Sequence, residues 1–88
     1  MFRNVLGRVA KTLRDLTKAV SRGDAPVDLP RRYTHQDLAD MIGTTREPLS
    51  RALATLRRAG LVDSGEGRIT VLSPLKLDAI ISASVSSD

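Results

Sequence analysis

The 88-residue chain has no cysteine, no tryptophan, one histidine (His35) and only two aromatic rings, Phe2 and Tyr33. The lack of cysteine excludes disulfide staples, thiolate zinc sites and a cysteine nucleophile together. His35 has no cluster of carboxylates at ligand spacing around it, so no metal site is expected. With aromatics at 2%, the core has to be built from Leu, Val, Ile and Ala. No apolar run approaches the length that crosses a bilayer, and Met1-Phe2-Arg3-Asn4 lacks the uninterrupted apolar stretch of a signal peptide. The expected compartment is therefore the cytoplasm. A Gly-rich phosphate loop is also missing, and no Ser/His/acid set shares a plausible pocket. Asp37 and Asp40, three residues apart, read as a solvated helix face. The sequence points to a non-enzyme without a cofactor.

A chain this short buries little more than half of its unfolded surface, which leaves room for one modest core and no second domain. Hydrophobic residues at 41% and charged residues at 27% are ordinary for a folded globular chain. Fourteen Lys+Arg against ten Asp+Glu leave a net charge of +4. That excess suits a polyanion, nucleic acid first and an anionic membrane second.

Hydrophobic periodicity organises the chain. Phe2, Leu6, Val9, Leu13, Leu16 and Val20 step by four and three, which predicts a helix over 2–22. Arg3, Arg8, Lys11, Arg14, Lys18 and Arg22 fall on its opposite arc, and Gly23 is placed to end it. The stretch 24–30 holds Pro26 and Pro30 and has no helical period, so it reads as a loop with one extended edge segment. Thr34-His35-Gln36-Asp37 has the form of a capping box that opens a short helix ending at Gly43. A third helix follows from Thr45, its expected N-cap, to about Ala59, with Pro48 tolerated in the first turn and Gly60 beyond its end. Past Gly60 the period changes to that of a hairpin, 61–63 and 68–72 around Ser64-Gly65-Glu66-Gly67. Ser73-Pro74 closes it, 75–81 forms a short closing helix, and 82–88 reads as a flexible tail. The fold class is mainly α with a small β-hairpin wing, a winged helix-turn-helix over residues 1–81.

The surface of the third helix carries the functional signal. Leu49, Ala52, Leu53, Leu56 and Ala59 face inward. Glu47, Ser50, Arg51, Ala54 and Arg58 face outward, with Arg46 at the margin. Helices that read the DNA major groove do so with their first turns. An arginine bonds guanine O6 and N7 in bidentate fashion, and a carboxylate accepts from cytosine N4. A carboxylate facing polyphosphate is otherwise unfavourable, so Glu47 points to base reading. An Arg51–Glu47 pair on a solvated face is compatible with that role, because it holds the arginine in place.

The run Thr34-His35-Gln36-Asp37-Leu38-Ala39-Asp40-Met41-Ile42-Gly43-Thr44-Thr45-Arg46-Glu47-Pro48-Leu49-Ser50-Arg51-Ala52-Leu53 resembles the helix-turn-helix of the cyclic-AMP receptor protein (Crp/Fnr) family. The likeness extends back to Gly7-Arg8-Val9-Ala10-Lys11-Thr12-Leu13 and forward from Gly60-Leu61-Val62 through Val71. It implies a sequence-specific transcription regulator whose recognition helix, about 46–59, reads an inverted repeat of TGTGA-like half-sites in double-stranded DNA. By position, Arg46, Glu47 and Arg51 match base-contacting residues. Thr34, Gln36 and Thr45 match phosphate-contacting ones, to which Ser50 and Arg68 of the wing are added. The resemblance also implies a homodimer or heterodimer, and a surface for RNA polymerase around residues 24–32. No stretch resembles the family's sensory β-barrel, so cyclic-nucleotide binding does not transfer to these residues. Pro48 departs from the family, standing where an amide-bearing residue is common. Two other readings share the surface features: a winged helix that serves as a protein-contacting co-regulator without base reading, and a membrane-surface role for the first helix. The first helix is expected to spend its apolar stripe on the core, packed against Leu53, Leu56 and the hairpin.

Overall fold

A computed structural model describes residues 4–65 and 67–86, with side chains described as far as residue 83. The chain runs α1 (Val5–Thr17), β1 (Val27–Asp28), α2 (His35–Ile42), α3 (Arg46–Arg58), β2 (Val62–Gly65), β3 (Arg68–Val71) and α4 (Pro74–Ser86). The three strands form one antiparallel sheet in the order β1-β3-β2. In its register Val71 stands between Val27 and Val62, and Gly65 faces Arg68 across the tip of the β2–β3 hairpin. β1 is the extended edge segment expected in the proline-containing loop, and the Leu29 amide continues its pairing by donating to the Ile69 carbonyl at 2.9 Å.

α1 is the central strut. Val9, Ala10 and Leu13 are fully buried and pack with Leu49, Leu53, Leu56, Val71 and Leu77 in a single aliphatic core. The apolar stripe is therefore spent inside the domain, against α2, α3, β3 and α4. The helix is shorter than its periodicity predicts. It begins at Val5, where the Asn4 side chain accepts from the Gly7 amide at 2.7 Å; Phe2 and Arg3 lie outside the described residues. It ends at Thr17 because the Val20 and Ser21 amides both converge on the Thr17 carbonyl, tightening the chain into an i→i+3 turn. Val20, the last residue of the expected stripe, is consequently 60% exposed.

The basic arc of α1 is also not a free face. Arg8 donates from Nη2 to the Ile42 carbonyl at the end of α2. Arg14 Nε pairs with Asp78 Oδ1 of α4 at 2.8 Å, and Lys11 pairs with Asp15 on its own helix. Sequence spacing places these cations on one arc, but only the packed fold brings Ile42 and Asp78 to meet them.

α4 runs to Ser86 and so extends helical structure into the stretch expected to be a tail. Its N-terminus is doubly secured. Ser73 Oγ accepts from the Lys76 amide at 3.3 Å, and Pro74 occupies the first helical position. Asp24 then reaches in from the loop after α1, accepting from Ser73 Oγ at 2.7 Å and from the Leu75 amide at 3.0 Å. These bonds hold the Asp24 carboxyl below its ordinary range. Ile80 and Ile81 continue the packing against the core.

Candidate nucleic-acid interface

α2 begins as its sequence dictates. Thr34 Oγ1 accepts from the Asp37 amide at 2.9 Å, and Asp37 Oδ2 accepts from the Thr34 amide at 3.0 Å, which completes the capping box. Hydrogen bonds to the carboxylate from the Thr34 amide and from the Thr34 side chain stabilise its ionised form and pull Asp37 below its ordinary range. Gln36 donates from Nε2 to Asp40 Oδ1 at 2.8 Å along the exposed side of the helix.

The turn between α2 and α3 is closed by Gly43, which adopts the left-handed conformation at φ +82°. The Gly43 and Thr44 amides both donate to the Ala39 carbonyl at 2.9 Å. Arg8 occupies the Ile42 carbonyl next to them, so α1 fixes the turn from behind. Leu38 and Ala39 are fully buried, and Leu49 and Leu53 of α3 pack with them in the same core. The small Ala39 side chain allows that close approach.

α3 starts at Arg46 with Thr45 as its N-cap, and the Thr45 side chain makes no capping bond. The third helical residue is Pro48, which has no amide hydrogen to offer it. The Thr45 hydroxyl is left uncommitted at the exposed head of the helix. Leu49, Ala52, Leu53 and Leu56 are buried as expected, but Ala59 is exposed because the helix ends at Arg58 and the chain turns away at Gly60. Arg46, Glu47 and Arg51 stand exposed on the first turns. Arg51 Nη1 and Glu47 Oε1 pair at 2.8 Å, with side chains 67% and 84% exposed. Ser50 lies on the same arc, partly buried.

The wing stands beside this pair of helices. Arg68 projects from the start of β3 and is exposed. Together with Ser64, Gly65, Gly67 and Ile69 it forms one wall of a cleft of about 250 Å³, whose other wall is Tyr33, Thr34 and His35 at the head of α2. The structure thus brings Arg68 and Thr34 to one cleft and places Arg46, Glu47, Ser50 and Arg51 on one arc of α3. Gln36 and Thr45 stand near the heads of their own helices.

Three connections in this region were not expected from sequence. Arg57 donates from Nη1 to Ser64 Oγ at 2.9 Å and tethers α3 to the wing. The Arg31 guanidinium lies 4.2 Å from the centroid of the Tyr33 ring. His35 Nδ1 sits 2.7 Å from Ser50 Oγ and links the head of α2 to the outward arc of α3. The first and third join residues whose closeness is created by the wing and the turn, although the polar character of His35, Ser50 and Ser64 was a weak signal. Among the described residues, no group of three His, Cys, Asp or Glu side chains gathers as a metal site, and no helix is long and apolar enough to cross a membrane.

Two helices joined by a tight turn, braced by a first helix and flanked by a hairpin, define a winged helix-turn-helix. Residues 7–80 match the model of the Crp-like helix-turn-helix domain, and the chain belongs to that family. It is 36% identical over 61 residues to the cAMP-activated global transcriptional regulator Vfr of Pseudomonas aeruginosa, a match covering 69% of this chain and 28% of Vfr. It is 34% identical over 71 residues to the CRP-like protein Clp of Xanthomonas campestris pv. campestris, covering 81% of this chain and 30% of Clp. Among solved structures, a CRP/FNR-family transcriptional regulator from Thermus thermophilus superposes with a TM-score of 0.79 at 26% identity, over 94% of this chain and 43% of that one. The catabolite activator protein of the same organism superposes with a TM-score of 0.72 at 29% identity, over 89% of this chain and 34% of that one. The chain therefore spans less than a third of the length of the curated relatives it matches.

Proposed function

We propose that this domain binds double-stranded DNA sequence-specifically and regulates transcription, with the first turns of α3 in the major groove. The observation that carries the reading is the exposed Arg46–Glu47–Arg51 arc, in which Glu47 holds Arg51 at 2.8 Å. A guanidinium already fixed in direction loses less side-chain entropy on meeting a guanine edge. In this reading Arg46 and Arg51 bond guanine, and Glu47 accepts from a cytosine amino group while still steering Arg51. Thr34, Gln36, Thr45, Ser50 and Arg68 contact phosphates. The uncommitted Thr45 hydroxyl supports that division, since helix N-termini are natural phosphate sites. That Vfr and the Thermus thermophilus CRP/FNR-family protein are transcriptional regulators supports binding rather than catalysis as the activity.

One such unit reads one half-site. A second copy about one helical turn away, roughly 34–36 Å, would read the other half of an inverted repeat of TGTGA-like sequence. The test is fluorescence anisotropy with three duplexes, carrying the inverted repeat, a single half-site or a scrambled sequence, each at two salt concentrations. Binding to the repeat or half-site above the scramble is the expected result, with the repeat favoured where two copies cooperate. Equal binding to all three duplexes would remove Arg46, Glu47 and Arg51 as readers of that site. It would turn the helix-turn-helix into a non-specific or protein-contacting module.

A further inference from the structure

His35 has no role in the contacts assigned above, yet it occupies a singular position. It opens α2, is half-buried, and places Nδ1 2.7 Å from Ser50 Oγ on the outward arc of α3. The same ring lines the cleft between the head of α2 and the wing, opposite Ser64, Gly65 and Arg68. Its surroundings favour an anion. On α2, the Asp37 carboxylate is taken up by Thr34 and that of Asp40 by Gln36. On α3, Glu47 is taken up by Arg51, while Arg46 stands exposed nearby in sequence. On the wing, Asp63 accepts from the Ser64 amide, and Arg68 faces the cleft. Arg31 rests on the Tyr33 ring just before the helix. The described carboxylates of these elements thus already have partners, and the cleft itself offers hydroxyls, a guanidinium and the imidazole.

An imidazole is the side chain whose charge ordinarily changes between about pH 5 and 8, and as a cation it donates from both ring nitrogens. We infer that His35 is a proton-linked phosphate-binding residue: on DNA it becomes an imidazolium, donating from Nδ1 to Ser50 Oγ and from Nε2 to a backbone phosphate oxygen in the cleft. The inference rests on the DNA-binding reading above. The proton comes from solvent, because the neutral ring can donate from only one nitrogen. A phosphate seated between the ring and Arg68 supplies the anion that an imidazolium pairs with. Ser50 orients the ring and so acts through His35 in addition to any contact of its own.

The experiment measures binding of the intact chain to the half-site duplex by anisotropy from about pH 6 to about pH 8 at constant ionic strength. By linkage, uptake of one proton raises affinity by up to about tenfold per pH unit of acidification within the titration range. The added phosphate contact makes the salt slope steeper by up to about 0.9 at the acidic end. His35→Gln, with its fold checked by circular dichroism, is expected to show a flat profile near the wild-type affinity at the alkaline end. A wild-type profile that is flat while sequence preference persists would overturn the role of His35 and leave the DNA reading intact. An unchanged pH dependence in His35→Gln would also overturn it, by assigning the proton to another group such as the terminal amine. Loss of preference over a scrambled duplex at every pH would overturn the DNA reading itself, and this inference with it.

Discussion

At the scale of single residues, the structure separates side chains that position from those left free to recognise. Asp37 and Asp40 hold Thr34 and Gln36 in place on α2, and Glu47 aligns Arg51 on α3, so these carboxylates position side chains proposed to meet DNA. No described carboxylate pairs with Arg46 or Arg68. Replacing Arg68 by Ala is therefore expected to weaken binding to all duplexes alike and to lower the salt slope by about one contact's worth, roughly 0.9. A titration of Kd against salt checks this; a change in base preference instead would move the wing from backbone to base contact. Acid stability belongs to this scale as well. Asp24 and Asp37 are held below their ordinary carboxylate range, so their ionised forms are favoured in the fold. That contribution is complete above the unfolded value near 3.8 and is lost as pH falls through the lower folded values. Asp24→Asn should lower the urea midpoint near neutrality, and the gap to wild type should close toward about pH 2. A constant gap across that range would show that Asp24 acts through shape rather than charge.

At the scale of elements, legibility in the sequence follows the range of the interactions. The capping box at Thr34, the Gly43 stop, the buried face of α3 as far as Leu56 and the β2–β3 hairpin all depend on residues within a few positions of one another, and all could be read directly. The end of α1 could not be read, because the apolar spacing of Leu16 and Val20 continues past the point where the backbone tightens at Thr17. The true length of α4 was hidden for another reason: Ser82-Ala83-Ser84-Val85-Ser86 is mostly small and polar and carries no helical apolar period, although the helix runs through it to Ser86. Gly43 allows a direct test of the turn. An alanine there is forced into a left-handed backbone, and the expected cost is about 1–2 kcal/mol with the fold retained. Denaturant unfolding measures it, and a neutral outcome would mean that the turn relaxes to another geometry. Thr45 and Pro48 make a second case. Pro48→Ala restores an amide for the Thr45 hydroxyl to accept from, a cap worth about 0.5–2 kcal/mol. It also loosens the unfolded chain at a cost of about 0.4–1 kcal/mol. The net change in unfolding free energy is expected to stay within roughly 1.5 kcal/mol.

At the scale of the whole molecule, one aliphatic core couples the helix-turn-helix to everything around it. Leu13 is fully buried on α1 and packs in the cluster that holds Leu49, Leu53 and Leu77. Leu13→Ala should cost about 2–5 kcal/mol, measured by urea denaturation, and a value well below that would show that the core collapses around the gap. The candidate interface was partly legible: Arg46, Glu47 and Arg51 stand out by helical spacing alone. Arg8 against Ile42, Arg57 against Ser64 and His35 against Ser50 did not, since each pair is separated in the chain and meets only across packed elements. The central claim is that the first turns of α3 read bases. It is tested most directly by measuring Kd for wild type and Arg51→Ala on the half-site duplex and on every single base-pair substitution of it. The variant should lose about 1–3 kcal/mol on the intended half-site and lose its preference at one base pair while keeping the others. A uniform loss across all the duplexes would contradict base reading and make Arg51 a phosphate contact.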